Sequence, residues 1–221
     1  GTMLSFMEKP NFKMSIGFAQ YSAEGNLCGD TIKTINDSRG HMIFIISDGM
    51  GKGSRAALDG AMGAGLLSKL LSAGFGFDSS LKVVNSALLV KSHEESLATL
   101  DCIRVDLFSG KCEFYKAGAP KSYVVKENSL TKCDLTSMPA GILRGVEFAK
   151  RTTLLNTDDE IIMMSDGITD VGDDWLEEFL KLETSFDPNE KAKAILRLAL
   201  ENSDEKHRDD MSVIVAKMIE K

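Results

Sequence analysis

The chain has 221 residues, 43% of them hydrophobic and 27% charged, which is enough for one sizeable domain with its own core and a tight fit for two. The 33 acidic side chains outnumber the 26 basic ones, and a net charge of -7 disfavours a nucleic-acid backbone or an anionic membrane as partner. The four cysteines show no CxxC spacing, so we expect buried, reduced thiols in a cytoplasmic domain and no zinc site.

The first residues indicate an excised domain. Gly1-Thr2 before Met3 is typical of a cloning remnant, and nothing at the start resembles a signal peptide. No apolar run approaches the roughly twenty residues that a membrane span needs. We therefore expect residues 1–10 to be a tag remnant and lead-in, and residues 11–221 to be a single domain without membrane contact. A segment outside this chain could anchor the longer protein to a membrane.

Three strands are predicted near the N-terminus. Two of them run from Phe12 to Ala19 and from Gly29 to Ile35. The third is the apolar run from Met42 to Ile46, which stops abruptly at Ser47-Asp48-Gly49. A carboxylate is therefore expected at the end of a rigid, buried element.

Two helices are predicted next. The first is capped by Ser54 and runs to about Ser72. Its three internal glycines cost about 1 kcal/mol each relative to alanine, which indicates either close packing on a neighbour or a mobile, interface-forming helix. The second runs from Phe77 toward Ser92, with an apolar stripe expected to be buried. The glycines are Gly60, Gly63 and Gly65, and the stripe is Leu81, Val83, Val84, Ala87 and Leu88.

The middle of the chain changes to a strand pattern. Residues 99–108 and 111–116 flank Ser109-Gly110, a good hairpin signal, and a further strand from Tyr123 to Lys126 extends the meander. The connections are too short for helical crossovers, so the sheet is expected to be antiparallel. Asp101 and Asp106 are interpreted as surface charges of the hairpin.

The C-terminal part repeats the acidic turn. A strand is expected over residues 147–155, and the apolar run from Ile161 to Met164 ends at Ser165-Asp166-Gly167. Two helices follow, the first with Trp175 and Phe179 on its core face and the second opened by Asp187-Pro188. Asp209-Asp210 then precedes the last strand. The order of elements predicts an α+β fold of two antiparallel sheets with helices outside.

Asp48, Asp166 and Asp209 each lie where a strand meets a turn, and we interpret them as one site. Carboxylates without histidine or cysteine favour magnesium or manganese. One bridging carboxylate could hold two ions roughly 3.5 to 4 Å apart with an activated water between them, which suits phosphate ester hydrolysis. Taken singly, each Asp-Gly is also an ordinary turn dipeptide.

Three segments in this order resemble the signatures of the metal-dependent serine/threonine protein phosphatases of the 2C type, and the resemblance covers nearly the whole chain. Within that family, the chain is most similar to the phosphatase domains of the bacterial stage II sporulation protein E type. The resemblance implies a four-layered α-β-β-α sandwich. The three segments are Asp48-Gly49-Met50-Gly51, Ser165-Asp166-Gly167 and Arg208-Asp209-Asp210-Met211-Ser212; the finer similarity rests on residues 46–53, Leu97-Ala-Thr-Leu-Asp101, Gly118-Ala-Pro120 and the Asp-Asp-Met ending.

The resemblance also implies roles for individual residues. Asp48 would bridge two manganese or magnesium ions, and the carbonyl of Gly49 would be a ligand of one of them. Asp166 and Asp209 would be the remaining ligands of the other ion, and Asp30 would hold metal-bound water. The family often has glutamate where this chain has Gly29, so a weak second metal site is expected.

The implied function is hydrolysis of phosphoserine or phosphothreonine by attack of a metal-bound water. The implied substrate is an anti-anti-sigma factor of the STAS fold, and the implied process is sporulation and sigma factor regulation. A homodimer through the glycine-rich helix is a further expectation. An alternative is a regulatory binding module that keeps the fold with weak or no turnover, as Gly29 suggests. A nucleotide enzyme is disfavoured because no phosphate-cradling glycine loop precedes a Lys-Ser/Thr pair.

Residues near the three segments are given modest roles. Asp210 is expected to lie outside the ligand set, and Lys52 and Arg55 are expected to be surface charges. The histidines His41, His93 and His207 show no metal-binding spacing.

Overall fold

Two antiparallel five-stranded sheets face each other, and helices cover both outer faces. The computed structural model describes residues 8–23, 25, 28–37, 39–50, 53–91, 96–127, 129–182, 187–205 and 208–221. In these residues no helix is long and apolar enough to cross a membrane. The elements in chain order are β1 (Phe12–Tyr21), β2 (Asp30–Asn36), β3 (His41–Asp48), α1 (Gly53–Ser72), α2 (Phe77–Lys91), β4 (Leu100–Asp106), β5 (Lys111–Ala117), β6 (Ser122–Lys126), β7 (Ser129–Cys133), β8 (Ala149–Leu154), β9 (Glu160–Met164), α3 (Asp166–Thr169), α4 (Asp174–Leu182), α5 (Pro188–Asn202) and β10 (Met211–Glu220).

The strand order explains how distant segments meet. The first sheet has the order β1-β10-β9-β6-β7, and the second has the order β2-β3-β4-β5-β8. The predicted hairpin at Ser109-Gly110 joins β4 to β5 in the second sheet. The chain then crosses to the first sheet, where β6 pairs with β7 and β9 rather than extending the meander.

Three apolar clusters separate four layers. One lies between α1, α2 and the second sheet and contains Ile45 and Leu67. Another fills the space between the sheets around Phe44 and Phe114, and a third packs α4 and α5 on the first sheet around Ile195. The four-layered α-β-β-α sandwich expected from the sequence is confirmed.

Local signals were mostly reliable for helix ends. Asp187 caps α5, since its Oδ1 accepts a hydrogen bond from the Asn189 backbone N–H at 2.7 Å. Ser54 is not the cap of α1, because that helix already begins at Gly53. In α2 the predicted stripe is buried at Leu81, Val84 and Leu88, but Val83 is 43% exposed.

The interpretation of Asp101 as a surface charge is wrong. Its side chain is buried and pairs with Lys116 on the neighbouring strand, with Nζ 2.7 Å from Oδ2. The same ammonium group donates hydrogen bonds to the Ser122 hydroxyl at 2.8 Å and to the Pro120 carbonyl at 2.6 Å. Lys116 and Ser122 both donate to Oδ2 of Asp101, so the lysine compensates the buried carboxylate through that oxygen. Asp106, by contrast, is partly exposed and serves the hairpin turn, where it accepts hydrogen bonds from Phe108 and Ser109.

Candidate metal centre

The three acidic segments meet at one end of the sandwich. Antiparallel pairing places the end of β9 beside the start of β10, and thus Asp166 near Asp209. The same pairing in the second sheet makes Asp30, the first residue of β2, the register partner of Asp48, the last residue of β3. The acidic ends of the two sheets lie next to each other. A hydrogen bond between the sheets shows this, since the Gln20 side chain of β1 donates to the Asp30 carbonyl at 3.1 Å.

Asp30 has a carboxylate with unmet hydrogen-bonding capacity. The residue is 4% exposed, and within the described part of the chain neither carboxylate oxygen has a hydrogen-bond partner of good geometry. The hydroxyls of Ser165 and Ser212 lie beside it and act to lower its pKa, but burial dominates and raises that pKa. A buried carboxylate without partners is costly unless a proton or a cation compensates it.

Asp48 is held by its backbone and surrounded by negative charge. Its N–H donates to the Thr99 hydroxyl at 3.1 Å, and its carbonyl accepts from the Thr99 N–H at 2.8 Å. Burial, followed by the charges of Asp30, Asp166 and Asp209 in that order, raises the pKa of Asp48 to about 9. The carboxylates therefore lie close enough to repel one another.

Asp166 and Asp209 are more exposed than Asp30. Asp166 is the first residue of the short helix α3, where a plain turn had been expected. Burial, followed by the charge of Asp30, raises its pKa to about 6. Asp209 is exposed, and its Oδ1 accepts a hydrogen bond from the Asp210 N–H at 2.8 Å.

The glycine after each aspartate is required by close packing. Neither Gly49 nor Gly167 has a positive φ, so a turn conformation does not demand glycine there. A Cβ at Gly49 would overlap the Ala56 carbonyl of α1, and one at Gly167 would overlap the Asp210 carbonyl. The two Asp-Gly pairs are therefore more than ordinary turn dipeptides, because each glycine lets a second segment approach the backbone beside the carboxylate.

Helix α1 packs against this end through its glycines. A Cβ at Gly60 would overlap the Gly29 carbonyl and lie 2.9 Å from the Gly49 nitrogen, and one at Gly63 would lie 3.1 Å from the Ser47 hydroxyl. A Cβ at Gly65 would meet nothing within 4 Å. Close packing on a neighbour therefore explains Gly60 and Gly63, and Gly65 is free of this constraint.

The donor chemistry fits a hard cation. Asp30, Asp48, Asp166 and Asp209 offer oxygen alone, and magnesium is commonly held by one or two carboxylates with water and phosphate completing its shell. Across the described ranges, no group of three or more His, Cys, Asp or Glu side chains is assembled to hold a metal ion. The unpartnered carboxylate of Asp30 beside Asp48 is the observation that favours a cation here.

Several residues that support the site were missed by sequence reasoning. Thr99 positions Asp48, the Ser165 hydroxyl accepts from the Ser212 N–H at 2.9 Å, and Gln20 donates to the Ser212 hydroxyl at 2.9 Å. A serine precedes both Asp48 and Asp166 in the sequence, and this repeat was a signal that could have identified some of these supporting residues.

The other candidates are not part of the carboxylate group described above. His41 pairs with Asp37 at the opposite end of β3. Arg55 lies in the first turn of α1, and Trp175 and Phe179 pack against the core under α4. Gly51, Lys52, His93 and His207 lie outside the described residues.

Comparison with known proteins identifies related sequences. A model of the family "Stage II sporulation protein E (SpoIIE)" matches residues 38–219. Stage II sporulation protein E of Bacillus subtilis (strain 168) is 28% identical over 222 residues, which cover 97% of this chain and 27% of the relative. The chain thus spans about a quarter of that relative's length.

Solved structures share the fold. The structure of the PP2C phosphatase domain and a fragment of the regulatory domain of SpoIIE from Bacillus subtilis has a TM-score of 0.87 and 27% identity, covering 96% of this chain and 64% of the other. The catalytic domain of the serine/threonine protein phosphatase PstP, solved in complex with two manganese ions, has a TM-score of 0.76 and 18% identity, covering 95% of this chain and all of the other. The second likeness concerns the fold alone.

Proposed function

This chain belongs to the stage II sporulation protein E family, and we propose that it is a manganese- or magnesium-dependent phosphatase acting on phosphoserine or phosphothreonine in a protein. The observation that carries the proposal is the pairing of Asp30 with Asp48 at the joined ends of the two sheets, with Asp166 and Asp209 beside them. The fold it shares with PP2C-type phosphatase domains supports the same reading.

Asp48, Asp166, Asp209 and the Gly49 carbonyl would hold the ion or ions, and Asp30 would act through water. A bound ion supplies Lewis-acid activation of a water molecule and neutralises phosphate charge. The protein's own part is to hold four carboxylates on rigid strand ends, with Thr99 fixing the backbone of Asp48. The hydroxyls of Ser165 and Ser212 lie beside Asp30 and favour its charged form.

The proposed substrate is a small phosphorylated regulatory protein, an anti-anti-sigma factor of the STAS fold. Family membership supports this proposal, and the acidic site would need cations to accept a phosphoprotein. A homodimer through the outer face of α1 is proposed as well, because Leu58 on that helix is 57% exposed while Gly60 and Gly63 face the sheet.

The domain is proposed to work in the cytoplasm as part of a longer, membrane-anchored protein. The described cysteines are all free, as expected in a reducing compartment, and the relatives are much longer than this chain.

Hydrolysis of para-nitrophenyl phosphate and of a phosphoserine-bearing STAS protein, with added manganese and with EDTA, tests the proposal. We expect turnover with manganese, loss with EDTA, and a loss of at least 100-fold in Asp48→Asn. Asp37→Asn, between β2 and β3 and near the end of β3 opposite Asp48, is the matched control and should retain wild-type turnover. Absence of hydrolysis at millimolar manganese, or unchanged turnover in Asp48→Asn, would show that the proposal is wrong.

A regulatory binding module with weak turnover is the second candidate. It is favoured by the absence, among residues 8–221 apart from the gaps given above, of an assembled group of three ligand side chains. Tight partner binding that persists in Asp48→Asn, together with no metal uptake in calorimetric titration, would identify this function instead.

A further inference from the structure

Asp210 joins two segments that meet at the candidate metal centre. Its Oδ1 accepts a hydrogen bond from the Ala23 backbone N–H at 2.8 Å, and its Oδ2 accepts one from the Gly29 backbone N–H. Gly29 directly precedes β2 of the second sheet, whereas Ala23 follows β1 and Asp210 precedes β10, and these two strands are neighbours in the first sheet. The bond to Gly29 therefore ties the two sheets together across 181 residues of sequence, and the bond to Ala23 holds Asp210 beside the end of β1.

Gly29 transmits this link to two of the proposed ligands. It is followed directly by Asp30, and its carbonyl accepts a hydrogen bond from the Gly49 N–H at 3.3 Å. Residues that hold the backbone of a ligand commonly set its orientation, and losing such a residue costs about 10- to 100-fold in metal affinity.

Asp210 also fills the space that a side chain at position 29 would need. A Cβ on Gly29 would lie 3.0 Å from Asp210 Oδ2 and 3.5 Å from Asp48 Oδ1. Gly29 has no positive φ, so its backbone would accept other residues. The inward position of the Asp210 carboxylate thus depends on the absence of a side chain at position 29.

We infer that Asp210 is a positioning residue, which places Asp30 and the Gly49 carbonyl through its hydrogen bonds to Ala23 and Gly29 and occupies the room left by Gly29. Each of its oxygens accepts one backbone N–H group, which is the role of a positioning residue, and the tests below separate this role from metal ligation. The inference rests on the proposed function for its metal readout, while its structural part can be tested in metal-free protein.

The first test uses Asp210→Asn, which preserves volume but leaves a single acceptor oxygen for two N–H donors. We expect hydrogen exchange at the Ala23 or Gly29 amide of the metal-free protein to accelerate at least tenfold, and manganese affinity measured by calorimetry to fall about 10- to 100-fold. Asp209→Asn should weaken manganese binding without changing exchange at these amides. Asp37→Asn, near the other end of β3, is the control: the N–H groups of Arg39 and His41 both donate to Oδ1 of Asp37, so an asparagine oxygen can still accept both, and exchange at Ala23 and Gly29 should not change.

The second test is a double-mutant cycle. Gly29→Glu alone should destabilise the protein, because the new side chain crowds Asp210. The same substitution should destabilise the Asp210→Ala variant much less, so that the two effects on stability are not additive. Equal destabilisation by Gly29→Glu in both backgrounds would refute the shared-space part of the inference.

Two results of the first test would overturn the positioning role. One is unchanged hydrogen exchange in Asp210→Asn. The other is a loss of manganese affinity without any change in exchange, which would make Asp210 a ligand. If wild-type protein binds no manganese, the proposed metal dependence fails, while the exchange measurement still decides the role of Asp210.

Discussion

The Nζ of Lys116 lies 2.7 Å from Oδ2 of Asp101, and both residues are buried in the sandwich. Removing one member of a buried pair leaves the other charge uncompensated, which costs about 3 to 5 kcal/mol. We expect Lys116→Met and Asp101→Leu each to lower the free energy of unfolding in urea by this amount. The double variant should be less destabilised than the sum of the single ones. Additive effects would contradict a direct coupling between the two side chains.

Substitution of the glycines of α1 should separate packing from helix propensity. Gly60→Ala places a methyl group against the Gly29 carbonyl and should destabilise the protein by about 1 to 3 kcal/mol. It should also weaken manganese binding, because α1 must move away from Gly49. Gly65→Ala meets nothing within 4 Å and should instead stabilise the helix by up to about 1 kcal/mol. Thermal unfolding and calorimetric metal titration of both variants check this, and similar behaviour of the two would refute it.

The metal-free protein should lose stability as pH rises from 5 to 8. Burial and mutual repulsion raise the pKa of Asp48 to about 9 and that of Asp166 to about 6, so the native state binds more protons than the unfolded chain, whose aspartates titrate near 4. The sign of the linkage then makes the free energy of unfolding fall with pH above about 4, until each native pKa is passed.

Urea unfolding of wild type and Asp48→Asn across this pH range, with EDTA, measures that effect. The stability advantage of Asp48→Asn over wild type should grow by at least about 1 kcal/mol from pH 5 to 8. Manganese should remove most of the wild-type loss, since a cation compensates the same charges. A pH-independent difference between the two proteins would contradict the prediction.

Asn85 should control the order of the loop beside the site. Its Nδ2 donates to the Leu143 carbonyl at 2.9 Å, and its Oδ1 accepts from the Gly141 N–H at 2.7 Å, so α2 holds this loop by both ends of one amide. Asn85→Ala should lower stability by about 1 to 3 kcal/mol and accelerate hydrogen exchange over residues 138–146. The neighbouring exposed Ser86→Ala is the control and should change neither quantity appreciably. Unaltered exchange in Asn85→Ala would show that the loop is ordered by other contacts.

The strands and their chemistry could be read from local sequence. The apolar runs before Asp48 and Asp166 form buried strands that end at these carboxylates. The acidic pair before Met211 lies at the start of a third buried strand. Such signals are local, because the alternation or length of an apolar run determines whether a segment forms a strand. The capping of α5 by Asp187 was predictable for the same reason.

The sequence by itself therefore determined most of the elements, the α+β class and the carboxylates at the strand ends, since these depend on near neighbours in the chain. Only the tertiary structure decided that Asp101 is buried with Lys116, that Gly60 packs on Gly29 and that Asp210 accepts from Gly29. Each of these contacts joins residues that are distant in sequence or lie on different strands. Their existence depends on how the sheets stack, and a charge or a glycine has the same local pattern whether it faces solvent or a neighbouring backbone.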